Sequence, residues 1–301
     1  TGKTAAFGIP IIDRIEPGKT EEAPLYVRFT DPGPVRLSVK IVDDDLPLDN
    51  VRSAVADIRA QVRVLCIEGA AITEAGEGES QFLCAALELG ESGTPQSQVM
   101  IDRVGWQDLA SRRLSDYHVA ALIDVPGLAD EQVEALGQFV DAGGGLLCFL
   151  GPNTQPGAIH KSLQFQGGSL LPGKIREAVG QENEKAQGRW PEPVPGHPVA
   201  QVLAGLSKEF LSQVPVRRYF PLELAPGARS VVKLGSGDEE VLVAEKPLGR
   251  GRVVLLTSTA DRAWNDLSIH PVYPMLLNGM LTFLGRAAHE RPLVVGETLA
   301  L

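Results

Sequence analysis

YHVAALIDVPGLADEQVEALGQFVDAGGGLLCFLG, Tyr117 to Gly151, reads as strand, helix, strand. Tyr117 to Val125 is an apolar run with β-branched members that ends at Pro126-Gly127. Val133, Leu136, Phe139 and Val140 then recur at helical spacing, with Asp130 as the expected cap and Glu131 in the first turn. Gly143-Gly144-Gly145 stops that helix and opens a second apolar run, Leu146 to Leu150. Two nearly all-apolar strands joined by an amphipathic helix make a βαβ unit, so the strands should be parallel and covered on both faces.

Outward from this unit the alternation continues. Val62 to Ile67 predicts a strand ending at Glu68-Gly69; a Gly- and Glu-rich loop, Thr73 to Ser80, leads to a helix over Gln81 to Leu89. Gln98 to Val104 predicts another strand and Trp106 to Leu114 a short helix or turn. The order β-α-β-α-β-α-β is that of a doubly wound, mainly parallel α/β sheet. From Pro152 to about Ala228 Gly and Pro break the pattern, which reads as an insertion over the carboxyl edge of the sheet. Within it a helix is expected over Lys174 to Ala186, another over Ala200 to Leu211, and a strand over Val214 to Leu224. Ser230 to Leu234 and Val241 to Glu245 form a hairpin about Gly235 to Asp238. Arg252 to Thr257 is a buried strand able to rejoin the parallel sheet, and His270 to Ala288 a helix that packs on it.

Ahead of this domain (59–290), residues 1–58 read as a β segment, with strands at Ala23–Thr30 and Val35–Val42; 291–301 begins a further β segment. The abrupt ends are those expected of a piece of a longer protein. The acidic loop Asp43-Asp44-Asp45 fits no EF-hand spacing and reads as a solvated turn.

Composition narrows the function classes. A net charge of -10 without a Lys/Arg-rich run argues against nucleic acid and anionic membrane surfaces as partners. The most apolar late run, Val272 to Leu284, is interrupted and too short to span a bilayer. Three cysteines without a CxxC indicate neither a disulfide scaffold nor a zinc site; Cys66, Cys84 and Cys148 read as buried, inert thiols. The five histidines form no metal-ligand spacing, and no phosphate-cradling glycine loop follows a strand, so neither metal nor cofactor is expected.

In open α/β sheets ligands bind at the carboxyl ends of the strands. There the sequence places Glu68, Gly69, Asp124, Gly151, Asn153, Thr257, Ser258, Asp261 and Arg262, of which Glu68, Asn153, Asp261 and Arg262 are the candidate ligand-binding set. Asp261 to Leu267 is dense in polar and aromatic residues; the structural alternative is an Asp261–Arg262 pair and a helix cap from Asp266 or Ser268. The candidates for nucleophilic catalysis are Cys148 with His197 or His270, but Cys148 lies within the strand LLCFLG rather than on an exposed turn, and no G-x-S-x-G exists.

VRVLCIEG, YHVAALIDV, the EQVEALGQFVDAGGGLLCFLG unit and GRVVLLTST resemble the class I glutamine amidotransferase-like superfamily, which implies a flavodoxin-like α/β fold. The family's catalytic Cys sits on a G-x-C-x-G elbow. Cys148 is one residue out of phase with it, and the family's His and Glu have no counterpart, so the resemblance implies the fold without the activity. VDDDLPLDN, FLCAALELG, GHPV, VRRYF, GRGRVVLLTSTADRAWNDLSIHPVYP and VVGETL resemble the extramembrane part of bacterial membrane-anchored proteins of the BatA type, with a von Willebrand A domain. That likeness implies a domain with protein partners in an envelope assembly and points to the periplasmic side, while the free cysteines fit the cytoplasmic side equally. An α/β pattern without an intact triad reads as a non-catalytic module for protein interaction or ligand sensing. The alternatives are a divergent Cys-dependent hydrolase or amidotransferase and a small-molecule binding domain.

Overall fold

The computed structural model describes residues 33–40, 51–58, 61–70, 78–88, 99–181 and 189–285. The expected strand at 23–30, the Asp43–Asp45 loop and the segment 291–301 lie outside them. The chain divides into two compact units, 1–60 with 291–301, and 61–290. In the first, β1 (Gly33–Lys40) pairs antiparallel with β2 (Val51–Ile58).

The second unit is built on one eight-stranded sheet. Its parallel part comprises β3 (Val62–Glu68), β4 (Val99–Gly105), β5 (Val119–Ile123), β6 (Gly145–Phe149) and a late strand, Gly251–Leu256. Four short strands follow β6: β7 (Gln164–Phe165), β8 (Gly168–Ser169), β9 (Gly173–Ile175) and β10 (Val179–Gly180). Then come β11 (Glu192–Pro193), β12 (Arg218–Tyr219), β13 (Leu222–Leu224), β14 (Arg229–Lys233), β15 (Val241–Leu248) and β16, the late parallel strand. Across the sheet the order is β11-β14-β15-β16-β6-β5-β3-β4. The five strands from β16 to β4 are mutually parallel, and β15, β14 and β11 extend them antiparallel. The chain leaves β3 outward for β4 and returns past it to β5, so the winding reverses between β3 and β5.

Helices cover both faces. α1 (Gln81–Glu88), α4 (Pro198–Ala204), α5 (Lys208–Leu211) and α6 (Val272–Gly285) share a core with Val64, Cys66, Ala121, Leu147 and Val254. α2 (Asp130–Asp141) and α3 (Pro156–Ser162) share the other with Leu65, Leu122, Leu146, Cys148 and Leu255. Alternate residues of each central strand thus enter opposite cores, which is why these strands are apolar throughout. Val133, Leu136 and Val140 of α2 are at most 1% exposed. Burying the three stabilises the docked helix by about 6 kcal/mol. Asp130 is the first helical residue rather than the cap; Gln132 Oε1 accepts the N–H of Ala129 instead. Gly143, at φ 113°, ends the helix, a conformation a side chain would strain.

The insertion departs from expectation. No helix forms over Lys174 to Gln181: β9 pairs with β13 and β10 with β12. Lys174 is exposed and Ile175 buried, an alternation of period two. The expected helix 200–211 is two helices, because Gly205 ends α4 and Ser207 Oγ caps α5 through the N–H of Phe210. Among the described residues no helix is long and apolar enough to cross a membrane.

Candidate functional site

The reversal of winding leaves the carboxyl ends of β3 and β5 side by side, and acidic groups collect there. Glu68 closes β3, fully buried, and its Oε1 accepts from Ser80 Oγ and from Arg103 Nε of β4, both at 2.6 Å. Asp124 follows β5 with φ 45°, unusual for a side-chain-bearing residue. Its backbone N–H donates to Phe149 O at 2.9 Å, which turns the carboxylate over the end of β6. There the Asn153 N–H donates to Oδ2 at 2.9 Å and Thr154 Oγ1 to Oδ1 at 3.0 Å. Two glycines make the fit possible. A Cβ at Gly69 would meet Asp124 O at 1.9 Å, and one at Gly151 would meet Asp124 Cγ at 2.5 Å.

Glu79 brings a further carboxyl against this one from the turn before α1. It is hydrogen-bonded to Asp124, and burial, then the charges of Asp124 and Asp261, push it from 4.5 up to about 8. Asp124 is also raised, by burial, while the Asn153 and Thr154 donors and Glu79 oppose that rise. Neighbouring carboxyls in a partly dry site resist ionising together. At neutral pH Glu79 therefore holds its proton against Asp124. Glu68 is paired with Arg103 at 2.6 Å, and Asp124 and Asp261 lie beside Glu79. Among the described residues Glu68 Oε2 and Glu79 Oε2 are buried without a hydrogen-bond partner, and no group of three or more His, Cys, Asp or Glu is placed to hold a metal ion.

Of the four ligand candidates read from the sequence, Glu68, Asn153 and Asp261 come together at this edge, Asn153 through its backbone. Arg262 does not join them: it is exposed, and its carbonyl accepts from Arg217 Nη2 at 2.8 Å. The stretch around it is a structural knot. Asn265, fully buried, donates from Nδ2 to Ser258 Oγ at 3.0 Å and to Thr259 O at 2.9 Å, and its Oδ1 accepts from Leu267 N at 3.0 Å. Asp266 pairs with Arg217 at 2.7 Å, and the Asp261 carboxylate accepts the N–H of Ala263 rather than pairing with Arg262. Glu79, Ser80 and Arg103 are the site residues that sequence reading missed. The Asp102-Arg103 pair near the end of β4 was the available signal.

The catalytic candidates are not brought together. Cys148 is 2% exposed in the core beneath α2, and burial pushes its thiol up to about 12. His197 and His270 lie on the opposite face, against Phe283 of α6 and Phe210 of α5. Each accepts through Nδ1 from the backbone two residues on, at the start of α4 and α6 respectively. Burial, then Arg252 and Arg229, lower His197 to about 4, so it is neutral. The expectation of three buried thiols needs a correction at Cys84, which is half-buried and in contact with Cys66.

No family model matches the chain, and no curated protein matches it. Solved structures do. Cytoplasmic Protein STM3548 from Salmonella typhimurium superposes with a TM-score of 0.56 at 18% identity, covering 75% of this chain and 100% of that one. Cytoplasmic Protein STM1381 from the same organism gives 0.54 at 13% identity, covering 74% and 99%. A β-galactosidase from Rahnella sp. R3 matches over 32% of its own length at 0.48 and 13% identity, too low to argue from. At such identities the likeness is one of fold, an α/β sheet with covering helices.

Proposed function

We propose that this chain is a non-catalytic, amidotransferase-like α/β module that senses a small organic cation at the carboxyl edge of its sheet. Numbered along the chain, its parallel strands run 2-1-3-4-5, the flavodoxin-like order, whose ligand site lies at the reversal of winding. The observation that carries the reading is the Glu79 carboxyl set against Asp124 at that reversal, beside Asp261, an arrangement that one proton between the two carboxyls would satisfy. A protonated amine or guanidinium brings both positive charge and N–H donors. It would displace the shared proton, donate to Glu79 and Asp124, and let both ionise.

The sealed Cys148, on the face opposite His197 and His270, speaks against a Cys-dependent hydrolase. Placement in a BatA-type membrane-anchored protein, with protein partners on the periplasmic side, rests on the sequence resemblance; ligand occupancy would then be what the module reports to those partners.

Calorimetric titration of the chain with putrescine and with agmatine, at pH 7 and pH 9, tests the reading. Binding is expected with proton release at pH 7, with little at pH 9, and is expected to be lost in Asp124→Asn. No binding of either probe, or binding that Asp124→Asn leaves unchanged, overturns it.

A further inference from the structure

Cys66 and Cys84 meet on the α1 side of the sheet, next to the Glu68–Arg103 pair. Cys66 lies on β3, fully buried, directly opposite Arg103 of β4 in the register. Cys84 lies on α1, half-buried, and its Sγ donates to Ser80 Oγ at 3.8 Å. Ser80 Oγ in turn donates at 2.6 Å to Glu68, two residues beyond Cys66 on the same face of β3, so Cys84 reaches the face of β3 that carries Cys66, and each thiol acts on the proton affinity of the other. The geometry points to a reversible disulfide between Cys66 and Cys84, in which Cys84 reacts first with a low-molecular-weight disulfide and Cys66 resolves the adduct.

The two sulfurs have the unequal environments that this exchange needs. The Cys66 thiol beside it and the Arg103 charge bring Cys84 down to about 7, against the effect of burial. The Cys84 thiol and complete burial hold Cys66 well above the ordinary thiol value. At neutral pH Cys84 is thus substantially thiolate, the nucleophilic form, and Cys66 is a protonated thiol already in contact with it. The Cys84 thiolate attacks a disulfide RSSR, forming Cys84–S–SR and releasing RS⁻. Cys66 then attacks the Cys84 sulfur, forming the Cys66–Cys84 bond, while its proton goes to the departing RS⁻. In sum, two protein thiols and RSSR give one protein disulfide and two RSH. The bond would draw Cys84 Sγ away from Ser80, whose hydroxyl donates to Glu68. The inference stands on the thiol pair and is independent of any ligand at the acidic edge.

The test treats the folded chain with oxidised glutathione at pH 7, quenches with acid and maps cysteine peptides by mass spectrometry. The expected product is a Cys66–Cys84 disulfide that dithiothreitol reverses, with Cys148 unmodified. In Cys66→Ser the glutathione adduct should accumulate at Cys84; in Cys84→Ser, Cys66 should remain a thiol. Should either variant fail to fold, alkylation of the unaltered chain decides: Cys84 should react more than about tenfold faster than Cys148, with a pH midpoint near 7. A glutathione adduct on Cys84 without the disulfide, no oxidation of either residue, or Cys84 alkylating as slowly as Cys148 overturns the inference.

Discussion

Replacing Glu79 with glutamine is expected to stabilise the protein at pH 9 and to leave it nearly unchanged at pH 6. The Glu79 carboxyl is raised from 4.5 to about 8, first by burial and then by Asp124 and Asp261. The folded protein therefore holds a proton that the unfolded chain releases between those values. Across that window stability falls as the pH rises, by up to about 1.4 kcal/mol per pH unit, and the loss is complete above about 8. The full span corresponds to about 5 kcal/mol; Glu79 is only partly buried, and solvent screening brings this to about 2 kcal/mol. Glutamine presents to Asp124 an N–H donor where the protonated carboxyl presents O–H, and it does not titrate. Urea unfolding followed by the fluorescence of buried Trp264, from pH 5 to pH 9.5, measures the difference. Other groups, such as His197, contribute equally to both proteins and cancel. The variant's stability should exceed that of the unaltered protein by about 2 kcal/mol at pH 9 and converge with it below pH 6. Parallel pH profiles, or a variant less stable at pH 9, would refute the shared proton.

Gly151→Ala should cost about 2–4 kcal/mol in the same assay, because the new methyl lands 2.5 Å from Asp124 Cγ and forces the carboxylate off Asn153 and Thr154. Asn265→Ala should cost about 2–3 kcal/mol, since it leaves the buried Thr259 O and Leu267 N without their side-chain partner; a loss under about 0.5 kcal/mol would show that the knot around Trp264 does not depend on it.

The βαβ unit was legible because its apolar runs are bounded by Pro126-Gly127 and Gly143 to Gly145, and because helical and strand periods are local properties. Once the strands were placed, Glu68, Asn153 and Asp261 followed as residues at their carboxyl ends. Glu79 and Arg103 did not follow. Glu79 reaches Asp124 from a loop with no period of its own, and Arg103 reaches Glu68 through a strand pairing whose register no single segment encodes. The same limit explains the misread insertion: β9 becomes a strand by pairing with β13, almost fifty residues further on. It explains the thiols too, since Cys66 and Cys84 each look like an ordinary core residue until β3 and α1 pack together.

The shared proton is tested most directly by a pH titration of the side-chain carboxyl carbons by NMR, with Glu79→Gln used to assign the Glu79 signal. One glutamate resonance should titrate near 8 and vanish in the variant, with a coupled inflection on Asp124. If every glutamate titrates below about 5.5, the carboxyl edge carries ordinary carboxylates and the proposed sensing site falls with it.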